Sequence, residues 1–375
     1  MAGIYIHIPY CKQKCHYCNF FSVATTRHLP EISEAICREA ELQSSYLQND
    51  TVETIYFGGG TPSLLPLESL KKILNTIQKV FKADTNAEIT LEANPDDINH
   101  TTAEAWKLMG INRLSIGIQS FRDTDLAYLN RIHSGQKALE SIGIARNAGF
   151  SNLTIDLIYG IPGLDEQGWN QNLKTATDLQ IPHISAYALT VEPRTALDTM
   201  IRKGKTPAVD EQDAANHFKQ LTSELNQNGY LHYEISNFCL PGHTARHNTA
   251  YWQGKPYLGL GPSAHSFDGS SRQWNIASIS EYLKSIHNNQ LPFEKEELSV
   301  NQMYNEYVMT GLRTMWGCNI IKIDTMFGAA YKQHFIKTAA RFISQQNMVK
   351  SGDTYMLTEK GKFMADGIAA DLFIV

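Results

Sequence analysis

Six short apolar runs, at 4–8, 54–57, 88–92, 113–118, 152–158 and 183–189, punctuate the first half of this 375-residue chain and restrict its fold more than any other feature. They are rich in Ile, Leu and β-branched residues and apolar on both faces, as parallel strands covered on two sides are. The segments between them carry helical periodicity, with Ile32, Ala35, Ile36 and Ala40 on one face and Leu67, Leu70, Leu74, Ile77 and Phe81 on another. Strand and helix alternating in this way predict a parallel α/β architecture. Six units are too few to close an eight-fold barrel. The expected fold is therefore a partial, open (β/α)6 barrel, with a doubly wound sheet as the second choice.

In both folds the carboxyl ends of the strands form the ligand-binding face. The chemistry-bearing residues sit at those ends. Cys11 follows the first run, Gly58-Gly59-Gly60-Thr61-Pro62 the second, and Glu92-Ala93-Asn94-Pro95 the third. Gln119 closes the fourth, Asp156 lies in the fifth, and Thr190 trails the sixth. The glycine triplet either lets a ligand approach the main chain closely or makes a tight strand-to-helix turn. It is neither a dinucleotide fingerprint nor a phosphate-binding loop, because G-x-G-x-x-G and Gly-Lys-Ser/Thr are both absent.

Behind the first run come Cys11, Cys15 and Cys18, a C-x3-C-x2-C spacing that puts three soft thiolates on one short loop. Three thiolates hold three corners of a [4Fe–4S] cubane and leave the fourth iron open to a small molecule. The alternative is a closed structural zinc site completed by His7 or His16. A disulfide suits the chain less well, since clustered thiols without a secretory leader belong to a reducing compartment. Cys37, Cys239 and Cys318 are isolated and read as core or free thiols.

Charge excludes little beyond nucleic acid. Thirty-three Lys and Arg face thirty-eight Asp and Glu, for a net −5 without a basic block. No apolar stretch reaches the eighteen or so residues of a membrane span. The first ten residues already read as a strand, so the expectation is a cytoplasmic protein without a signal peptide.

Together, Cys11-x3-Cys15-x2-Cys18, the Gly58–Pro62 turn, Glu92-Ala93-Asn94-Pro95, Gly117-Ile118-Gln119-Ser120-Phe121 and Asp156-Leu157-Ile158-Tyr159-Gly160 resemble the radical S-adenosylmethionine (SAM) proteins, and among them the oxygen-independent coproporphyrinogen oxidase family. The resemblance runs over nearly the whole length. It implies a cluster whose open iron is chelated by the amine and carboxylate of SAM. The turn of Gly59, Gly60 and Thr61 would meet that amine, and Tyr5 and Tyr17 would line the cofactor. Glu92, Gln119, Arg131 and Asp156 would surround its carboxylate, ribose and sulfonium, Arg131 offering a planar donor fork. In the family an electron from the cluster cleaves SAM to methionine and a 5′-deoxyadenosyl radical. The cofactors carry that chemistry while protein supplies binding and orientation.

Two functions diverge within the family. Members that oxidise coproporphyrinogen carry a further Cys two residues past the third, where Phe20 stands here, and a long segment upstream of the cluster, where ten residues precede Cys11. In contrast, Arg246-His247-Asn248-Thr249-Ala250-Tyr251-Trp252 is similar to the H-N-x-x-Y-W signature of the haem-chaperone branch. That likeness implies haem bound through His247 against Tyr251 and Trp252, then passed to a client haemoprotein such as a respiratory enzyme. The expected cofactors are a [4Fe–4S] cluster, SAM and haem. No nucleic-acid partner is expected, and any membrane contact is expected through the client. The rival readings are a porphyrinogen-modifying enzyme and a zinc-stabilised binding module.

The expected organisation is a barrel over 1–230, a connecting segment over 231–293 with the His247 string on a loop, and a second unit over 294–375. In the last, Tyr304, Tyr307, Val308, Gly311 and Leu312 mark one helical face and 332–346 another helix. A hairpin turning at Gly352 and a final helix complete a winged-helix-like arrangement.

Overall fold

The computed structural model describes residues 2–375. Its centre is a parallel sheet of β1 (Ala2–Ile8), β2 (Val52–Gly59), β3 (Ala83–Ala93), β4 (Arg113–Gln119), β5 (Leu153–Tyr159) and β6 (His183–Ala188), paired in chain order. Helices Leu29–Leu42, Leu67–Val80, His100–Leu108, Gly135–Asn147 and Glu166–Asp178 make the crossovers, with a shorter helix, Asp123–Tyr128, sharing one of them. Each buries the stripe its periodicity marks. Helix Leu29–Leu42 turns Ile32, Ala35, Ile36 and Ala40 inward, and helix Leu67–Val80 turns Leu70, Ile73, Leu74 and Ile77 inward. Local chemistry sets where several begin: Asn99 and Thr102 form a capping box, and Ser134 and Asp165 accept amide hydrogens of the first turn.

The sheet continues past both edges. β7 (Leu231–Glu234) and β8 (Asn237–Cys239) extend it antiparallel beyond β6. On the other side β9 (Tyr257–Leu260) pairs parallel with β1, so the parallel strands number seven where the sequence predicts six. β10 (His265–Phe267), β11 (Ser271–Asn275) and β12 (Phe293–Glu297) follow antiparallel to a free edge, giving twelve strands in an open sheet among the described residues. β9 escapes notice because it has four residues, one of them Gly259, and glycine weakens a strand's signature. Segment 231–293 thus supplies β7 to β11, and the first residue of β12, to the two margins of the sheet.

The His247 string is also not a loop. It forms helix Arg246–Trp252 between β8 and β9. Its free amide ends at Arg246 and His247 are taken by the Glu88 carboxylate on β3, at 3.2 and 3.1 Å. A cap supplied by a distant strand leaves no local mark in the sequence.

Residues beyond Ser299 form a separate apolar core around Tyr304, Val308, Leu312, Phe335 and Phe342. Helices Val300–Leu312, Ile320–Phe327 and Ala329–Ser344 pack with β13 (Cys318–Asn319), β14 (Met348–Ser351) and β15 (Thr354–Leu357), whose sheet order is β13-β15-β14, and with helix Ala365–Leu372. Ion pairs from Arg313 to Glu234 (3.0 Å) and Arg272 to Glu306 (2.7 Å) fasten this unit to both margins of the large sheet. Among the described residues no helix is long and apolar enough to cross a membrane.

Candidate functional site

The carboxyl ends of β1 to β6 converge on a cavity of about 450 Å³. The loop after β1 contributes Cys11, Cys15, Tyr17 and Cys18, and the turn after β2 contributes Gly59, Gly60 and Thr61. Glu92 and Asn94 come from the end of β3, Gln119 from the end of β4, Arg131 from beyond it, Asp156 from β5 and Tyr187 from β6. A wider hollow of about 760 Å³ beside Phe150, Tyr230 and His243 gathers no thiol and no carboxylate.

The glycine turn is required by the chain's own packing. Gly59 has φ +110°, and a Cβ there would stand 2.7 Å from the His7 ring. At Gly60 a Cβ would meet the Tyr10 and Ile8 carbonyl oxygens at 2.6 and 2.9 Å. The triplet therefore lets β2 turn tightly against the start of the cysteine loop, whatever binds there. Gln119 carries the opposite signature, a non-glycine residue at φ +67° where the β4–β5 register breaks. Backbone strain of this kind concentrates at functional sites.

Arg131 organises the thiol side of the cavity. Its guanidinium donates to Asn94 Oδ1 (2.6 Å), to the Gly117 carbonyl (2.7 Å) and to Cys15 Sγ (3.4 Å), while Nε has no partner. Burial, followed by its neighbours Cys15 and Cys11, pushes the Cys18 thiol up. The three thiols share one cavity wall, as a cluster with three cysteine ligands needs. Among the described residues no three His, Cys, Asp or Glu side chains stand close enough to share a single metal ion, the arrangement of a closed zinc site. Three cysteine thiols lining one cavity are the donor set of a cubane that keeps one iron without a protein ligand, and in that chemical sense the residues present fit the group.

The same cavity is lined by two acids. Burial pushes Glu92 and Asp156 each up to about 7, against hydrogen bonds from Tyr56 to Glu92 and Ser185 to Asp156 that favour ionisation. Near neutral pH both are poised to ionise when a cation enters. Asn94, to which the sequence reading gives no role of its own within Glu92-Ala93-Asn94-Pro95, joins Arg131 to Thr61 through its amide (Nδ2 to Oγ1, 3.2 Å). Its place just past β3 was the available signal.

Two predicted site residues lie elsewhere. Tyr5 does not bound the cavity: its hydroxyl meets His7 Nδ1 at 3.1 Å and its ring packs on Tyr56 and His247. His247 sits at the opposite end of the barrel, beneath Gly3 and Thr54 at the beginnings of β1 and β2. It is 2 % exposed. Nδ1 lies 2.8 Å from Thr54 Oγ1 and Nε2 2.7 Å from the Tyr251 hydroxyl, so neither nitrogen is presented to a ligand in this arrangement. Burial pushes its pKa down to about 3, keeping the ring neutral. The expected flat surface is taken too, because Tyr251 faces His247 and Arg313 lies over Trp252 at 5.4 Å. The i,i+4 spacing of His247 and Tyr251 is itself a helical signal.

Residues 5–176 match the family model described as the radical SAM superfamily. The heme chaperone HemW of Mycobacterium tuberculosis is 33% identical over 99% of this chain and 94% of its own length. HemW of Bacillus subtilis is 30% identical over 98% of each chain, and HemW of Synechocystis 35% identical over 84% of this chain and 79% of its own. The structure of the Escherichia coli coproporphyrinogen III oxidase HemN superposes with a TM-score of 0.87 over 99% of this chain and 90% of that one, at 21% identity, a likeness of fold. The chain is a radical SAM protein of the partial-barrel kind and belongs, within that superfamily, to the HemW family.

Proposed function

We propose that this protein binds haem and hands it to haemoproteins, with a [4Fe–4S] cluster and SAM held at the barrel mouth. The observation that carries the mouth is the meeting of Cys11, Cys15 and Cys18 with Thr61, Glu92, Gln119, Arg131 and Asp156 in one cavity. Cys11, Cys15 and Cys18 would hold the cluster, and Arg131 the carboxylate of SAM. Glu92 and Asp156 offer negative charge to its ammonium and sulfonium, and Tyr17 closes the wall. When bound, the pair supplies one-electron chemistry at the mouth. The haem assignment rests on kinship with proteins named heme chaperone HemW, together with the His247 string.

For haem we propose the barrel floor. An open groove of about 360 Å³ there is lined by Ala2, Thr54, Arg246, Thr249, Ala250 and Lys255. Arg246 and Lys255 bring two positive charges against one from Glu53, which lies 4.0 Å from Arg246. That balance suits the two carboxylates of a porphyrin. His247 stands directly behind Thr54 and in its neutral form is a common haem ligand.

The test has two halves. Anaerobically reconstituted protein is expected to hold iron and acid-labile sulfide and to change its absorbance on adding SAM, and Cys11→Ser, Cys15→Ser and Cys18→Ser to lose both. Haem titration is expected to saturate in the wild type and to weaken at least ten-fold in Ala250→Trp and Lys255→Glu with unchanged circular dichroism. Loaded protein is expected to convert an apo-haemoprotein to its holo form. Conversion of coproporphyrinogen III to protoporphyrinogen at an enzymatic rate would replace the chaperone reading by a porphyrinogen-modifying one.

A further inference from the structure

Tyr56 joins the two ends of the barrel. It lies on β2 midway between Thr54 and Gly58, and residues two apart on a strand share a face. Its hydroxyl donates to Glu92 Oε1 at 2.7 Å, and Glu92 lines the mouth cavity and also accepts from the Gly59 amide. Its ring is stacked on His247, with centroids 5.0 Å apart and planes at 24°. One side chain therefore touches both a wall of the mouth and the histidine of the floor. Along β2 the floor at Thr54 and the turn at Gly59 are about 16 Å apart, from five residues at about 3.3 Å each.

We propose that SAM at the mouth and haem at the floor weaken each other's binding through Tyr56. This rests on the haem reading above. In the closed arrangement both nitrogens of His247 are held, by Thr54 and Tyr251. Offering either to an iron requires the ring to leave its place against Tyr56. A cation at the mouth keeps Glu92 ionised and its bond from the Tyr56 hydroxyl charge-assisted, which roughly doubles the strength of such a bond. Tyr56 is then fixed over His247, and the closed floor is favoured. Conversely, release of His247 removes the ring that supports Tyr56 and loosens Glu92. Two ligands that bias one two-state element in opposite directions are coupled, and the coupling is the same read from either end.

The experiment uses cluster-reconstituted protein and two sets of titrations. Haem affinity is measured by Soret absorbance with and without saturating SAM, and SAM affinity with and without haem, in the wild type and in Tyr56→Phe, which keeps the ring and removes the hydroxyl. Haem is expected to bind the wild type about five-fold or more weakly when SAM is present, with the same factor in the reverse measurement. In Tyr56→Phe both factors are expected to fall towards one. A second measurement needs no variant: SAM is expected to slow amide hydrogen exchange in the helix Arg246–Trp252 of the wild type. Equal haem affinities with and without SAM, tighter haem binding with SAM, a wild-type factor retained in Tyr56→Phe, or exchange in that helix indifferent to SAM would each overturn the proposal. Absence of saturable haem binding by the wild type would instead remove the haem reading on which it stands.

Discussion

Glu39 offers the sharpest stability test, because its carboxylate is fully buried and surrounded by donors. It lies in the first crossover helix, Leu29–Leu42. Oε1 accepts from Asn275 Nδ2 (2.6 Å) and Gln43 Nε2 (3.2 Å), and Oε2 from the Tyr282 hydroxyl (2.6 Å) and the Gly261 amide (2.8 Å). In Glu39→Gln one oxygen becomes an NH2 group. Either orientation of the amide sets that group against two donors. Turning towards Oε1 opposes Asn275, whose amide is already committed to the Gly261 carbonyl at 2.8 Å. Turning towards Oε2 lets the Tyr282 hydroxyl rotate to accept but strands the Gly261 N–H. At least one buried donor stays unpaired, a loss of about 1–3 kcal/mol, to which the weakening of a charge-assisted bond adds about 1 kcal/mol. The expected destabilisation is about 3 kcal/mol for Glu39→Gln and about 4 kcal/mol or more for Glu39→Ala, which abandons all four donors. Thermal unfolding of the barrel is expected to shift down by about 6 °C for the glutamine variant, at about 2 °C per kcal/mol in a chain of this size. The loop after β9 packs against β1, where a Cβ on Gly261 would lie 2.5 Å from the His7 carbonyl. Hydrogen exchange along β9 is therefore expected to rise with the loss of stability. A Glu39→Gln protein within about 0.5 kcal/mol of wild type would show that these donors find partners elsewhere and that the reasoning is wrong.

Three further expectations concern the mouth and one of the crossover helices. Gly60→Ala drives a Cβ into the Tyr10 and Ile8 carbonyl oxygens, at 2.6 and 2.9 Å, and is expected to lose about 2–3 kcal/mol in denaturant unfolding; Gly143→Ala, mid-helix with nothing within 4 Å, is expected to gain about 0.5–1 kcal/mol. Glu92 and Asp156 are both raised to about 7 in the fold, so the folded chain holds their protons more tightly than the unfolded chain does. Their contribution to stability is whole below about pH 4 and is lost as pH rises through about 7. Melting temperatures from about pH 5 to about pH 8 are therefore expected to fall more steeply for wild type than for a Glu92→Gln/Asp156→Asn variant; parallel curves would contradict the assignment.

Much of this protein was legible from residue order alone. Alternation of β-branched runs with amphipathic stripes determined the six parallel strands and their crossovers, because burial on two faces and burial on one face leave different periodicities. Strand ends then marked Cys11, Thr61, Glu92, Gln119 and Asp156, and the fold gathers all of them into one cavity. What tertiary structure alone decided depends on groups far apart in the chain. The Glu88 carboxylate caps the His247 helix across 159 residues of sequence. Thr54, 193 residues away from His247, takes its Nδ1, and Tyr5 turns from the mouth to the floor stack. A short strand with a glycine, β9, becomes the seventh parallel member only because β1 offers it an edge. Local pattern records which face of an element is apolar. It does not record which partner a buried polar atom finds, since that is settled by whichever donor or acceptor the packing brings within reach.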